Sequence, residues 1–375
     1  MSRPSRPFLL HFAEAEAGAE AAPVPAPVPA PSPARAAVDV RDLVARLMPA
    51  LAGRIAAEPE PVVLLLAYSR NPDSVLLERA LLARGVPCRL LGADDFPTDV
   101  TVTWRGDGKR TGGEVFGLDS AQVRSVWFGL AGPTGVPARR LPPFETGEWA
   151  DALAGWWRSC PVPFVNDPDA GSRAGNKITS LEHAMEEGLT VPDTLVTNDP
   201  DQALAFCHAY GSAGVIAKSL NSHYVELDGR RHSLFTRVLS TADLALLPAT
   251  LAAAPCVFQP LLDSRLELRV TVVGEQVFAA STATADLAAA GLAGSGDVRR
   301  VRRAVPMTAH CLDDDVAHRC VRLVAGLGLR YAALDLVMTP DGDHVFLDLN
   351  PRGGWWFAEQ RAGLPISDAV AGSLS

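Results

Sequence analysis

Two runs near the end of the chain decide the fold: Tyr331-Ala332-Ala333-Leu334-Asp335-Leu336-Val337-Met338 and His344-Val345-Phe346-Leu347-Asp348-Leu349-Asn350. Between them stands Pro340-Asp341-Gly342-Asp343. Asp-Gly between apolar runs is a hairpin signal, because a tight two-residue turn needs residues that tolerate positive φ. With Asp341 and Gly342 as that turn, Asp335 falls opposite Asp348, about 5 Å away between Cβ atoms. Asn350 lies two residues on, so it emerges on the same face. Like charges opposed across a ladder destabilise it. Two acids and an amide on one face of an apolar hairpin therefore point to a hard cation. Oxygen-only ligands suit Mg2+, which keeps waters and takes substrate phosphate oxygens. A solvated hairpin face with incidental acids is the alternative; the leucines beside both acids argue for burial.

Upstream, Leu266 to Val272 alternates. Leu266, Leu268, Val270 and Val272 point one way; Glu267, Arg269 and Thr271 point the other. Gly274-Glu275 turns the chain into Val277-Phe278-Ala279-Ala280-Ser281. A face with Glu267 and Arg269 near two opposed aspartates reads as the floor of an anion-handling cleft, with a surface ion pair as the alternative. Cys256 to Leu262 is apolar, and Pro260 makes it a strand running into a connector. Gly214-Val215-Ile216-Ala217-Lys218 is a strand ending on a lysine whose amine needs an acceptor. That acceptor is a phosphate, or else the lysine snorkels to the surface. Ile178, Leu181, Ala184 and Met185 share a helical face ended by Gly188, and Asp199-Pro200 starts a further helix.

Residues 62–67 form a buried-strand run, Asn71-Pro72-Asp73 caps a helix through Leu82, and Cys88 to Leu91 is a second strand. Residues 122–128 add another. The β-α-β order implies a parallel layer, and no Gly-x-Gly-x-x-Gly fingerprint is present. Residues 18–37 are Pro/Ala-rich, and such a stretch reads as an extended linker. Phe8-Leu9-Leu10-His11-Phe12 before it reads as part of a flexible tail rather than a docking element. Residues 39–57 show helical spacing.

The chain has 375 residues, enough for two or three domains, and a formal net charge of −9, which argues against nucleic-acid binding. No apolar run reaches membrane-spanning length and no signal-peptide pattern opens the chain. The six cysteines lack Cys-x-x-Cys spacing and read as reduced thiols of a cytoplasmic protein.

Taken in order, these residues resemble the ATP-grasp superfamily over roughly 166–373. A helix lysine, a strand-end lysine, an adenine hinge, a ribose-binding acid and a terminal acid–acid–Asn set follow one another as Lys177, Lys218, Gln259 to Leu262, Glu267, and Asp335, Asp348 and Asn350. The resemblance implies that Lys177 and Lys218 touch ATP phosphates. It also implies that Gln259 and the backbone around Leu261 and Leu262 hold adenine, that Glu267 binds ribose, and that the last three bind Mg2+, two ions in all. More narrowly, Leu266 to Gly274, Phe346 to Pro351, Gly354-Trp355, Gly363 to Ile366 and Asp297-Val298-Arg299 resemble the ATP-grasp ribosomal peptide maturases, the graspetide or microviridin-type synthetases. Those enzymes activate a side-chain carboxylate of a precursor peptide as an acyl phosphate. A hydroxyl or amine of the same peptide then attacks, giving an ester or amide crosslink. Arg269 and Arg299 are the candidates to hold the acyl phosphate.

The expected architecture is a mixed α/β (α+β) ATP-grasp fold. A Pro/Ala-rich disordered tail (1–37) and a helix (38–58) precede a Rossmann-like pre-ATP-grasp domain (60–165). A central lid subdomain (166–254) and a C-terminal antiparallel-sheet subdomain with the metal site (255–375) follow. The expected partner is a ribosomal precursor peptide, with neither nucleic acid nor membrane, and with a homodimer as an open assembly state. Three departures from the family stand out: Asp348 where glutamate is usual, Val298 for an aromatic, and Asn221-Ser222-His223-Tyr224 in place of a glycine-rich lid. Ligation of free amino acids or small carboxylates, and a non-catalytic nucleotide-binding module, stay open beside peptide crosslinking.

Overall fold

The computed structural model describes residues 7–10, 60–92, 100–107, 111–115, 117–130, 142–221, 224–227, 230–289 and 305–375. The expected helix at 38–58, Arg299 and most of the tail lie outside them. In the first layer, β1 (Val62–Ala67) leads into α1 (Pro72–Ala83), whose N-cap Asn71 accepts from the Asp73 N–H. β2 (Cys88–Gly92) follows. A small antiparallel sheet that the sequence did not announce comes next: β3 (Val102–Gly106), β4 (Thr111–Val115) and β5 (Leu118–Asp119). β6 (Val123–Phe128), α2 (Pro143–Ser159) and β7 (Phe164–Val165) complete the layer. β2-β1-β6-β7 are all parallel, as the β-α-β order required. Leu64, Leu66 and Phe128 pack on Trp156 and Trp157 of α2; Val63, Leu65 and Trp127 face the other way. Burial on both faces is why β1 reads as a continuous apolar run.

The middle of the chain holds α3 (Pro168–Ala174), α4 (Lys177–Glu186), β8 (Leu195–Thr197), α5 (Pro200–Tyr210) and β9 (Val215–Lys218). β10 (Tyr224–Leu227) and β11 (Arg230–Ser233) form a hairpin where no glycine-rich lid was legible. β12 (Arg237–Val238), α6 (Thr241–Thr250) and β13 (Cys256–Pro260) follow. The sheet runs β12-β9-β13-β8, with α5 and α6 on one side. Two expectations are corrected here. Ile178 and Met185 are exposed; α4 instead buries Lys177, Ser180, Leu181 and Ala184, a stripe turned so that Lys177 enters the interior. And Phe8, assigned to a flexible tail, is 0% exposed within the core of this subdomain.

The last sheet contains β14 (Leu266–Val273), β15 (Gln276–Ala283), β16 (Thr308–His310), β17 (Tyr331–Met338) and β18 (His344–Asn350), in the order β16-β15-β14-β17-β18 and antiparallel throughout. Besides the short α7 (Thr284–Leu287), its helices are α8 (Asp314–Gly326), α9 (Trp356–Ala362) and α10 (Ile366–Leu374). Leu268, Val270, Leu334, Leu336 and Phe346 form the core face against Leu323 and Val324 of α8. The opposite face is divided. At one end Val273 and Tyr331 are covered by the first layer, through T-shaped contacts of Trp127 with Tyr331 (5.1 Å) and Trp355 (5.3 Å). At the other end Glu267, Arg269 and Asp335 face a cleft.

The hairpin reaches its expected pairing by an unexpected route. Asp335 does sit opposite Asp348, and Ala333 opposite Asn350. Nearer the turn, however, Leu336 pairs with Phe346 and Met338 with His344, one position out of step. The turn is wider than two residues: Thr339 N–H donates to Asp343 O and Gly342 N–H to Thr339 O. A bulge at Leu347 absorbs the difference. It lets Phe346 enter the core while Asp348, only two residues on, faces the cleft. Among the described residues no helix is long and apolar enough to cross a membrane, and all six cysteines are free.

Candidate active site

The cleft lies between the central sheet and the open end of the last sheet. Its lining brings together Lys177, Lys218, Gln259, Leu261, Leu262, Glu267, Arg269, Asp335, Asp348 and Asn350, drawn from residues 177 to 350. Every expected site residue within the described chain is there. The cavity measures ≈ 410 Å3, within the range of small-molecule sites. Tyr224, at the end of the stretch that replaces a glycine-rich lid, also lines it, as do Phe235 and Phe357, of which the sequence offered no sign.

Each carboxylate on the hairpin face holds a cation. Asp348 Oδ2 receives Lys177 Nζ at 2.5 Å, and Asp335 Oδ1 receives Arg269 Nη1 at 2.8 Å. Arg269 Nη2 donates to the Gly354 carbonyl (3.0 Å), its guanidinium carbon lies 5.6 Å from the centre of the Phe357 ring, and its buried Nε has no partner. Burial works against the charge on Arg269, but Asp335, Tyr331 and Asp73 together outweigh it and lift its pKa above the ordinary value. Three cations (Lys177, Lys218, Arg269) thus stand among three acids (Glu267, Asp335, Asp348), and the cleft is nominally neutral.

Lys218 Nζ donates to Leu347 O, the carbonyl at the bulge, at 3.3 Å. Burial pushes Lys218 down to about 8; Asp348 and Asp335 resist that fall, and Lys177 adds to it. Its charge is present below that pH and lost above it. Affinity for ATP in the ligand-free protein is therefore expected to fall as pH rises through about 8, and Lys218→Arg, which stays charged, is expected to abolish the fall. Titrating a fluorescent ATP analogue across this range checks both. Stability should move the other way. Between about 8 and 10.5 the unfolded chain holds a proton that the folded chain has lost, so the Lys218 contribution to folding improves as pH rises. A pH-independent affinity in both proteins would refute the placement of Lys218 at a bound anion.

The donors on the hairpin face fit a hard divalent cation. Asp335, Asp348 and Asn350 offer oxygen only, and the Asp335 side chain keeps 48% of its surface open. Asn350 Oδ1 is already oriented by Arg352 N–H at 2.9 Å. Among the described residues no group of three or more His, Cys, Asp or Glu could hold a metal. Two carboxylates and an amide fit Mg2+, which is completed by water and phosphate rather than caged by protein.

Two supporting residues escaped the sequence. Asp73 was legible only as part of a helix cap. Its Oδ1 accepts from Trp355 N–H and Trp356 N–H, both at 2.7 Å, which braces the loop that presents Gly354 O to Arg269. Burial raises its pKa despite these bonds. A Cβ on Gly353 would meet Ala333 Cβ at 2.6 Å, so only glycine fits there, and one on Gly354 would meet Asp73 Oδ2 at 2.8 Å and displace that carboxylate. Asn166 is buried and makes four bonds, accepting from Arg330 N–H and Tyr331 N–H and donating to Tyr331 O and Pro351 O. It ties the end of β7 to both flanks of the β17–β18 hairpin.

No family model matches the chain, and no curated protein matches it in sequence. Solved structures do. The macrocyclase MdnC from Microcystis aeruginosa MRC, bound with precursor peptide MdnA, is 25% identical at a TM-score of 0.71, covering 84% of this chain and 99% of that one. The macrocyclase MdnB from the same organism is 29% identical at 0.64, again covering 84% and 99%. A Chryseobacterium gregarium RiPP-associated ATP-grasp ligase, in complex with ADP and a leader and core peptide, is 20% identical at 0.73, covering 84% and 96%, and attests the fold alone. The ATP-grasp ligase PsnB, complexed with minimal precursor, is 25% identical at a TM-score of 0.66, covering 84% and 98%. The ATP-grasp resemblance drawn from the sequence holds, and the chain is an ATP-dependent ligase of that type.

Proposed function

We propose that this ATP-grasp ligase activates Asp or Glu side chains of a ribosomal precursor peptide as acyl phosphates and closes ester or amide crosslinks. The carrying observation is the convergence, in one cleft, of two lysines from separate elements with an opposed aspartate pair. MdnC, bound with its precursor peptide, supports the peptide as substrate. In this reading Lys177 and Lys218 hold ATP phosphates, and Glu267 holds the ribose. Leu261 already spends its N–H on Gly214 O, so contact with the adenine rests on the Leu261 carbonyl and the Leu262 backbone, with Gln259 beside them. Gln259 is itself fixed by donation to Thr194 Oγ1 at 2.8 Å. Asp335, Asp348 and Asn350 would hold Mg2+, taken as two ions, which supplies charge neutralisation at the transferring phosphoryl group.

A substrate carboxylate oxygen attacks the γ-phosphorus and ADP leaves. A hydroxyl or amine of the same peptide then attacks the acyl carbon, a proton is lost and phosphate leaves, so each crosslink removes one water. Arg269 lies beside Asp335, where it can steady the acyl phosphate; Arg299, the second candidate, lies outside the described residues. The cleft must exclude water while the acyl phosphate lives, and Tyr224 of the β10–β11 hairpin and Phe235 stand at its wall.

The test is incubation with ATP, Mg2+ and a candidate precursor, read by mass spectrometry, with hydroxylamine as a trap. Loss of one water per crosslink and a hydroxamate on the peptide are the expected results. A hydroxamate formed only on free amino acids would assign the cleft to small-carboxylate ligation, the second reading, and retire the peptide.

A further inference from the structure

Residues 7–10 are placed where their sequence neighbours do not explain them. Pro7, Phe8, Leu9 and Leu10 form one turn, closed by Leu10 N–H to Pro7 O at 2.9 Å. Phe8 is 0% exposed among Ala203 and Cys207 of α5, Leu247 of α6, Val215 and Ala217 of β9, and Phe258 of β13; Leu9 packs beside it. A single turn has no core of its own and cannot hold its shape in water, so the groove holds it. The rest of that core comes from residues 195–258, an unbroken stretch of chain. Phe8 and Leu9 alone come from elsewhere, across a connector, residues 11–59, that contains the Pro/Ala-rich stretch 18–37.

The groove lies behind the catalytic cleft. Val215 and Ala217 of β9 face Phe8, while Ile216 and Lys218 of the same strand line the cleft. On β13, Phe258 faces the groove and Gln259 faces the cleft. Interiors are close-packed, and a hole behind a sheet is partly filled by the sheet moving into it. Emptying the Phe8 site would therefore draw back the strands that carry Lys218 and Gln259. We propose that residues 7–10 are a tethered peptide ligand of the central subdomain, and that their docking in cis sets the affinity of the cleft for ATP. Residues 11–59 join the turn covalently to the rest of the chain, so its docking is intramolecular and does not depend on protein concentration. The proposal is independent of the identity of the ligase substrate.

The test uses the full chain with a synthetic peptide of residues 1–12 as probe. Phe8→Ala is expected to weaken binding of a fluorescent ATP analogue about tenfold, the usual size of coupling between sites, and Phe8→Leu much less. The peptide added in trans should restore the affinity of the Phe8→Ala chain saturably. In its labelled form it should bind that chain at least about tenfold more tightly than the wild type, whose groove is already filled. Unchanged or tighter ATP binding in Phe8→Ala overturns the proposal. So does a loss that the peptide cannot restore, which would make Phe8 an ordinary core residue, or equal binding of the labelled peptide to both chains. If Phe8→Ala does not fold, a protease site placed within residues 18–37 and cut after folding replaces it. Affinity should hold before the cut, fall after cutting and dilution, and return with peptide; an affinity indifferent to cutting and dilution also overturns the proposal.

Discussion

Asp348→Asn is expected to lower ATP turnover by at least 10²–10³-fold, on the order of one lost electrostatic partner of a transferring phosphoryl group. The substitution preserves shape and hydrogen bonding but removes one negative charge from the hairpin face. A divalent ion loses half of its carboxylate support, and an amide oxygen does not replace it. The ligand-free protein suffers too. Lys177, whose side chain is 9% exposed, keeps only a neutral acceptor for an interior cation. A charge left without its partner costs about 1–3 kcal/mol or more, so the melting temperature should fall by several degrees. Adding Lys177→Met removes the stranded cation. The double variant should regain stability, which isolates the ion-pairing role of Asp348 from the turnover lost in Asp348→Asn alone. Wild-type turnover in Asp348→Asn would end the metal assignment.

Arg269→Ala is expected to suppress ligation about 10²–10³-fold while changing ATP affinity less than tenfold. The reason is position. Arg269 contacts Asp335 and the Gly354 carbonyl, and its Nε–H is buried without a partner. It is bonded to Asp335, one of the proposed Mg2+ ligands. Arg269→Lys should recover only part of the loss, because an ammonium cannot span both acceptors as the planar fork does. Comparing ATP affinity by titration with crosslink yield by mass spectrometry decides the matter. Equal losses in both would make Arg269 a nucleotide-binding or purely supporting residue.

What the sequence disclosed and what it hid divide along a physical line. The alternation of Leu266 to Val272 and the Lys218 strand end were readable because side-chain direction along a strand has period two. The Asp335–Asp348 pair, in contrast, was reached through a two-residue turn that the protein lacks, with the bulge at Leu347 restoring the pairing. The resemblance then ordered Lys177, Gln259 and Glu267 around them. The rotation of α4 was not readable, since burying Lys177 is favourable only once Asp348 is there to receive it. Nor were Asp73 and Asn166, whose partners lie more than 150 positions away and whose local sequence reads as a helix cap and a domain edge. The docking of Phe8 was hidden for a simpler reason. Four residues beside a Pro/Ala-rich stretch carry the composition of a tail, and only the groove reveals them as a ligand.

The bulge at Leu347 makes the length of β18 a matter of parity. Every residue beyond it has its in-or-out sense inverted relative to every residue before it. A residue gained or lost at the Asp341–Gly342 end would change only how far the hairpin projects. The same change between Phe346 and Asp348 would break the phase between them: with Phe346 held in the core, Asp348 would turn toward the leucines, and with Asp348 held at the cleft, the phenyl ring would turn toward the lysines. The same insertion would also withdraw the Leu347 carbonyl from Lys218. Descendants of this chain can therefore vary freely in turn length yet tolerate no frame slip in the five residues that follow Val345. A comparison of related sequences that places a gap there has misjudged which residues correspond.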